Sequence, residues 1–150
     1  MLLVAGCSPA ADLPLAKAEV AKFRKQWASG RCGEIHAGAA PDFIQSTSRE
    51  QWMQLCPLLA AKLGPFQSSS EPGWTDNLFN GEHFVILTYQ SRFANGPGQE
   101  EFVYRLDGGR ATLAGYHVNS NLLLEPAPAS GEPGEDGDQL GVAMDNGISG

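Results

Sequence analysis

The chain has 150 residues, 42% of them hydrophobic and 9% aromatic, which is enough for one hydrophobic core and favours a single domain. Its formal net charge is −7, but six of the 17 acidic residues lie in 125–150, where there is no Lys or Arg. The preceding residues carry 11 acidic and ten basic side chains, and this near balance gives no electrostatic reason to expect a nucleic-acid partner.

The chain opens with a short apolar run that ends at Cys7. Residues 4–7, VAGC, resemble the lipobox of bacterial lipoproteins, in which a cysteine is acylated and becomes the mature N-terminus. The resemblance implies lipidation of Cys7, a truncated signal and tether over 1–11, and a lipid-anchored protein of the bacterial envelope that faces the periplasm. Ser8 fits the outer-membrane sorting pattern. Only six residues precede Cys7 and none is basic, so an ordinary frayed N-terminus stays open.

The other two cysteines, Cys32 and Cys56, lie 24 positions apart. They form neither a CxxC motif nor a cysteine–histidine spacing typical of zinc sites. In an oxidising periplasm the two thiols left after acylation of Cys7 are expected to form a disulfide. Closing a loop of this length would stabilise the fold by ~3.5 kcal/mol on the chain-entropy model. Two buried free thiols are the alternative, because free cysteine is a common core residue.

The first predicted helix follows Asp12, which is expected to cap it, and ends near Gly30. Its apolar stripe has spacings of four, three and four residues and consists of Ala16, Val20, Phe23 and Trp27. The basic residues of this segment lie off the stripe and predict a solvated face: Lys17, Lys22, Arg24 and Lys25.

Two further helical segments are predicted before residue 64. The stretch GEIHAGAAPDFIQ indicates a short helix or turn interrupted at Pro41. Ser48 and Gln51 form a capping box that begins a clear helix, which Pro57 is expected to kink and Gly64 to end. Its predicted apolar face consists of Trp52, Leu55, Leu59 and Leu63.

After Gly64 the hydrophobic period changes to two, which indicates strands. The segment HFVILTYQSRF directs Val85, Leu87, Tyr89 and Phe93 to one face. The turns NGPG and DGG separate it from EEFVYRL and RATLAGYHVNSNLLL, and a weaker strand signal lies in QSSSEPGWTDNLF. These segments predict an α+β domain over 12–124, with N-terminal helices packed on a curved antiparallel sheet of about four strands. The Pro-, Gly- and acid-rich tail 125–150 is predicted to be disordered.

Several segments together resemble a known family. They are AEVAKFRKQWASGRCGEI, the pattern F-x-x-x-x-S-R-E-Q-W from Phe43, and the strand sequences LTYQSRF, EEFVYRL and LAGYHV. They look like small bacterial envelope proteins of unknown function with a cystatin-like, nuclear transport factor 2-like fold. The resemblance covers roughly 12–124 and implies a cone between helices and sheet. Isomerases, dehydratases, ligand pockets and inert assembly domains all occur in that superfamily, so the fold assigns no chemistry.

No catalytic set is evident in the sequence. Tyr116 and His117 are adjacent strand residues that point to opposite faces, with Tyr116 on the face of Ala114 and Val118 and His117 on a more polar face. The carboxylates of Glu100 and Glu101 diverge for the same reason and cannot act as an acid/base pair. No metal-ligand spacing recurs, so neither a metal nor another cofactor is predicted.

Two classes of function follow. The first is a non-enzymatic binding or assembly module, held at the membrane by its lipid, whose partner is another envelope protein. The second is a protein with a pocket for a small apolar molecule, or an isomerase- or dehydratase-like enzyme. Tyr89, Tyr104 and His117 are the predicted polar contacts of such a pocket.

Overall fold

The structure, a computed structural model, describes residues 9–124. Cys7 and the tail 125–150 lie outside the described residues, so their predicted roles stay predictions. The helices are α1 (Pro9–Ala28), α2 (Cys32–Ala37), α3 (Pro41–Ser46) and α4 (Arg49–Leu63). The strands are β1 (Phe66–Ser69), β2 (Gly73–Phe79), β3 (Glu82–Phe93), β4 (Gly96–Asp107) and β5 (Arg110–Asn119), and a 3-10 helix follows at Asn121–Leu124.

All strand pairs of the sheet are antiparallel. Strands β3, β4 and β5 form a meander, while β1 and β2 both pair with β3, β2 along residues 82–88 and β1 along 91–93. The predicted α+β class, with N-terminal helices and a curved antiparallel sheet, is confirmed. The sheet has five strands instead of about four, because the weak signal before residue 80 contains two strands separated by a short break.

The stripe predicted on α1 is confirmed, since Ala16, Val20, Phe23 and Trp27 are all buried against the sheet. The ring of Phe23 meets the ring of Phe102 on β4 edge-on, with 5.1 Å between centroids. The predicted N-cap role of Asp12 is wrong. The helix begins at Pro9, so Asp12 lies in its first turn, where its buried side chain faces His83 on β3.

The start of α4 confirms the predicted capping box. The Ser48 hydroxyl accepts a hydrogen bond from the Gln51 backbone N–H, and the Gln51 side chain accepts one from the Ser48 backbone. The helix continues through Pro57. The predicted inward position of Leu55 is wrong, because this side chain is 41% exposed and Cys56 is buried instead.

The predicted disulfide between Cys32 and Cys56 is confirmed. It explains why Cys56, and not Leu55, faces the core. It joins the start of α2 to the middle of α4, with the two Cα atoms 6.1 Å apart. The Trp52 indole N–H, one turn earlier on α4, donates to the Cys32 carbonyl at 2.8 Å. The covalent bond and this hydrogen bond both require the Trp52–Cys56 face of α4 to point towards α2, which leaves Leu55 facing outwards.

The strands present alternate residues to the helices. On β3 the predicted inward residues Val85, Leu87, Tyr89 and Phe93 are all buried. On β5 the alternation is interrupted, because Leu113 pairs with Tyr104 and Gly115 pairs with Val103, leaving Ala114 as an extra residue. This bulge lets Leu113 and Tyr116 share the helix side, so the predicted common face of Ala114 and Tyr116 is wrong.

Candidate functional site

A cavity of about 290 Å³ lies between α1, the end of α4 and the sheet. Its wall is mainly apolar and carries one cation and one anion; the principal side chains are Phe23, Trp27, Phe66, Phe93, Arg24 and Glu100. Larger depressions of about 740, 720 and 470 Å³ are open grooves in the surface, and polar groups make up much of their lining. The smaller cavity is the better candidate site, because binding sites for small molecules are enclosed, mostly apolar and supplied with a few polar groups.

Glu100 brings a negative charge into the interior of the domain. It lies on β4 with only 1% of its surface exposed, on the same strand face as Phe102 and Tyr104. One carboxylate oxygen, Oε1, accepts hydrogen bonds from Arg24 Nη1 at 2.8 Å and Ser91 Oγ at 2.6 Å. The other, Oε2, accepts one from the Tyr116 hydroxyl at 2.7 Å. Three donors therefore compensate the cost of burying this carboxylate.

Arg24 supplies the opposite charge from α1. Its guanidinium carbon lies 3.7 Å from the centroid of the Phe66 ring, within the range of a cation–π contact. Nη1 is bonded to Glu100, whereas Nη2 is buried and has no hydrogen-bond partner among the described residues. The solvated position predicted for Arg24 is therefore wrong, because its side chain borders the cavity and is only 15% exposed.

The three tyrosines of the sheet remain protonated at neutral pH. Burial raises the pKa of Tyr116 well above its usual value, and the adjacent Glu100 carboxylate raises it further. Burial likewise raises the pKa of Tyr104 well above its usual value, and it is the largest cause of the raised pKa of Tyr89. Tyr116 is therefore a hydrogen-bond donor to Glu100 and not a base.

The structure does not bring the three predicted pocket contacts together. Tyr89 and Tyr104 are buried on the helix side of the sheet, where both rings contact Phe102, and neither borders the 290 Å³ cavity. His117 is exposed and lies opposite Glu101 in the β4–β5 register.

Sequence reasoning missed Arg24 and Glu100 as a pair. A signal for Glu100 was present, because it shares strand parity with the aromatic residues at 102 and 104 and therefore had to face the core. No sequence pattern around Arg24 indicates a pairing with Glu100, which lies 76 positions away.

No helix within residues 9–124 is both long and apolar enough to cross a lipid bilayer. No protein-family model and no curated protein matches the chain.

Proposed function

We propose that the protein is a lipid-anchored component of the bacterial envelope, and that its nuclear transport factor 2-like domain is a non-enzymatic binding module. The lipid on Cys7 holds the domain at the outer membrane, facing the periplasm. The cavity between α1, α4 and the sheet holds a small apolar ligand. The Arg24 guanidinium is the polar contact that orients it.

The cavity is the observation that carries this proposal. Its volume of about 290 Å³ lies just below the ~300–1,000 Å³ found for small-molecule sites. This size suits a compact molecule and is too small for a diacyl lipid. The rings of Phe23, Trp27 and Phe66 supply apolar contact area, and the Arg24 guanidinium, whose side chain borders the cavity, supplies a positive charge for one polar group of the ligand.

The hydrogen bonds and ion pair of Glu100 favour a binding protein over an enzyme. An isomerase- or dehydratase-like enzyme needs a base with a free lone pair beside the substrate. Glu100 is the carboxylate at the cavity wall, but both of its oxygens accept strong hydrogen bonds and its charge is paired with Arg24. The three donors leave one lone pair of Oε2 unoccupied, so proton abstraction would have to use an oxygen that already accepts a hydrogen bond from Tyr116.

The disulfide supports the location in the envelope. Stable structural disulfides are typical of oxidising compartments and rare in the bacterial cytosol. The Cys32–Cys56 bond is buried at both ends. Together with the lipobox resemblance around Cys7, it favours a domain that folds after export.

Docking of another envelope protein is the second candidate, and β2 favours it. Trp74, Leu78 and Phe79 on this strand are 44%, 71% and 63% exposed. Within residues 9–124 the strand pairs only with β3, and a partner strand can hydrogen-bond to backbone groups along its other edge.

A cavity-filling substitution tests the proposal. Ala60 lines the cavity, whereas its neighbour Ala61 is exposed on α4, so Ala60→Phe and Ala61→Phe form a matched pair. We expect the amphiphilic anionic fluorophore 1-anilinonaphthalene-8-sulfonate to bind wild type and Ala61→Phe equally, and Ala60→Phe at least tenfold more weakly. Native mass spectrometry of protein from envelopes should show a small-molecule adduct in the first two only.

Equal binding by Ala60→Phe, in a variant with unchanged circular dichroism, would overturn the cavity as the binding site. If Trp74→Ser then abolished co-purification of a defined envelope protein, protein docking through β2 would replace ligand binding as the proposed function.

A further inference from the structure

A second cluster of chemically active side chains lies away from the cavity, where the first turn of α1 meets the β2–β3 hairpin. It consists of Asp12 on α1, Asp76 on β2 and His83 on β3. His83 Nε2 is hydrogen-bonded to Asp76 Oδ1, and His83 Nδ1 lies 3.6 Å from Asp12 Oδ2. One ligand atom from each residue lies within 4.8 Å of the other two.

The cluster has too little positive charge for its carboxylates. Asp12 is only 8% exposed, and its Oδ2 is buried with no hydrogen-bond partner among the described residues. The distance of 3.6 Å to His83 is too long for a hydrogen bond. Two carboxylates share one imidazole, which carries at most one positive charge, so the cluster keeps an excess of negative charge.

The nearby basic side chains have other partners. Arg105 is paired with Asp42 and Glu82, and Lys17 is paired with Glu71. None of the ion pairs identified within residues 9–124 joins a Lys or Arg to Asp12 or Asp76. A divalent cation would compensate the excess negative charge of Asp12 and Asp76.

We propose that Asp12, Asp76 and His83 bind a divalent transition-metal ion, for which Zn²⁺ is the best match. Two carboxylate oxygens and one imidazole nitrogen form a ligand set that suits zinc, whereas Ca²⁺ and Mg²⁺ prefer oxygen ligands alone. The three ligands come from three different elements, so the ion cross-links α1 to the hairpin. Zinc normally has four ligands, which leaves one coordination position for water or an exogenous group.

The site was not evident in the sequence because its ligands have no short spacing. Asp76 and His83 lie seven positions apart on facing strands, and Asp12 is on the first helix. Only the pairing of β2 with β3, and the packing of α1 beside them, brings the three together.

The test is a titration of the full chain with ZnCl₂ by isothermal calorimetry, with CaCl₂ as the comparison ion. We expect one zinc site in wild type, with an affinity at least tenfold lower in both His83→Gln and Asp76→Asn. The control is His117→Gln, which removes an exposed histidine elsewhere and should leave zinc affinity unchanged. Calcium should bind at least tenfold more weakly than zinc.

Thermal unfolding gives a second readout. Zinc in excess should raise the melting temperature of wild type and His117→Gln but not of Asp76→Asn, because only an ion bound to the folded state stabilises it. Absence of zinc binding in wild type would overturn the proposal. Equal zinc binding by His83→Gln and Asp76→Asn would also overturn it, since the acidic tail or surface groups would then be the ligands.

Discussion

Glu100 and Arg24 form a charge pair inside a domain that otherwise buries mainly aromatic and aliphatic side chains. Breaking such a pair is expected to cost more than the pair itself contributes, because the remaining charge loses its partner while still largely buried. Glu100→Gln keeps the size of the side chain but leaves Arg24, whose side chain is 15% exposed, without its counter-ion.

We therefore expect Glu100→Gln to lower the free energy of unfolding by about 2–4 kcal/mol, measured by urea denaturation at pH 7. The control is Glu101→Gln on the next residue, which points to the other face of β4 and should change stability by less than about 0.5 kcal/mol. Similar losses in both variants would contradict the buried role of Glu100.

Tyr116 makes the stability of the folded protein depend on pH. Because its pKa is raised in the folded state, the unfolded chain loses this proton first as pH rises, and stability falls above the unfolded pKa of about 10. Tyr104 acts in the same direction. Urea midpoints between pH 8 and pH 11 should fall less steeply for Tyr116→Phe than for wild type; parallel curves would rule out this contribution.

At the scale of elements, the disulfide fixes α4 against α2. Both cysteines of the folded protein should resist alkylation, even after unfolding, until a reductant is added. Reduction should lower the free energy of unfolding by ~3.5 kcal/mol on the chain-entropy model and leave far-UV circular dichroism unchanged, because the α1 stripe and the sheet still provide a core. These measurements belong in a Cys7→Ala background, so that only Cys32 and Cys56 react.

The Cys32→Ala/Cys56→Ala double variant is the control, and a reductant should not change its stability. Alkylation of both cysteines in the unfolded, unreduced chain would contradict the bond.

At the scale of the whole molecule, the proposed anchor determines where the domain acts. Expressed with a complete signal in a bacterial host, wild type should partition with membranes and Cys7→Ala should be released. Several acyl chains, at ~0.8 kcal/mol per buried methylene, hold a protein far more firmly than one myristoyl group. Membrane fractionation and the mass of the N-terminal peptide measure this directly.

His117→Ala should behave as wild type in both fractionation and complementation of a deletion strain, because His117 is exposed and outside the cavity. Recovery of the wild-type protein in the soluble fraction would contradict the proposed lipid anchor on Cys7. Loss of complementation by a folded His117→Ala protein would instead point to a catalytic role.

The sequence by itself determined the features that depend on neighbours a few positions apart. The capping box at Ser48, the stripe of α1 and the alternation of β3 all follow from the periods of helix and strand, and the structure confirms each of them. The α+β class followed from the change of period after Gly64. The cysteine pair could also be predicted, because few cysteines were available.

Only the tertiary structure decided which side chains meet. Leu55 faces outwards because the disulfide draws the neighbouring Cys56 towards α2, and the bulge at Ala114 shifts the alternation of β5. A hydrophobic period assigns a residue to a face, but it does not say what lies opposite. Glu100 can stay charged in the core only because folding brings Arg24 to it from 76 positions away, so the candidate site could not be predicted from local sequence.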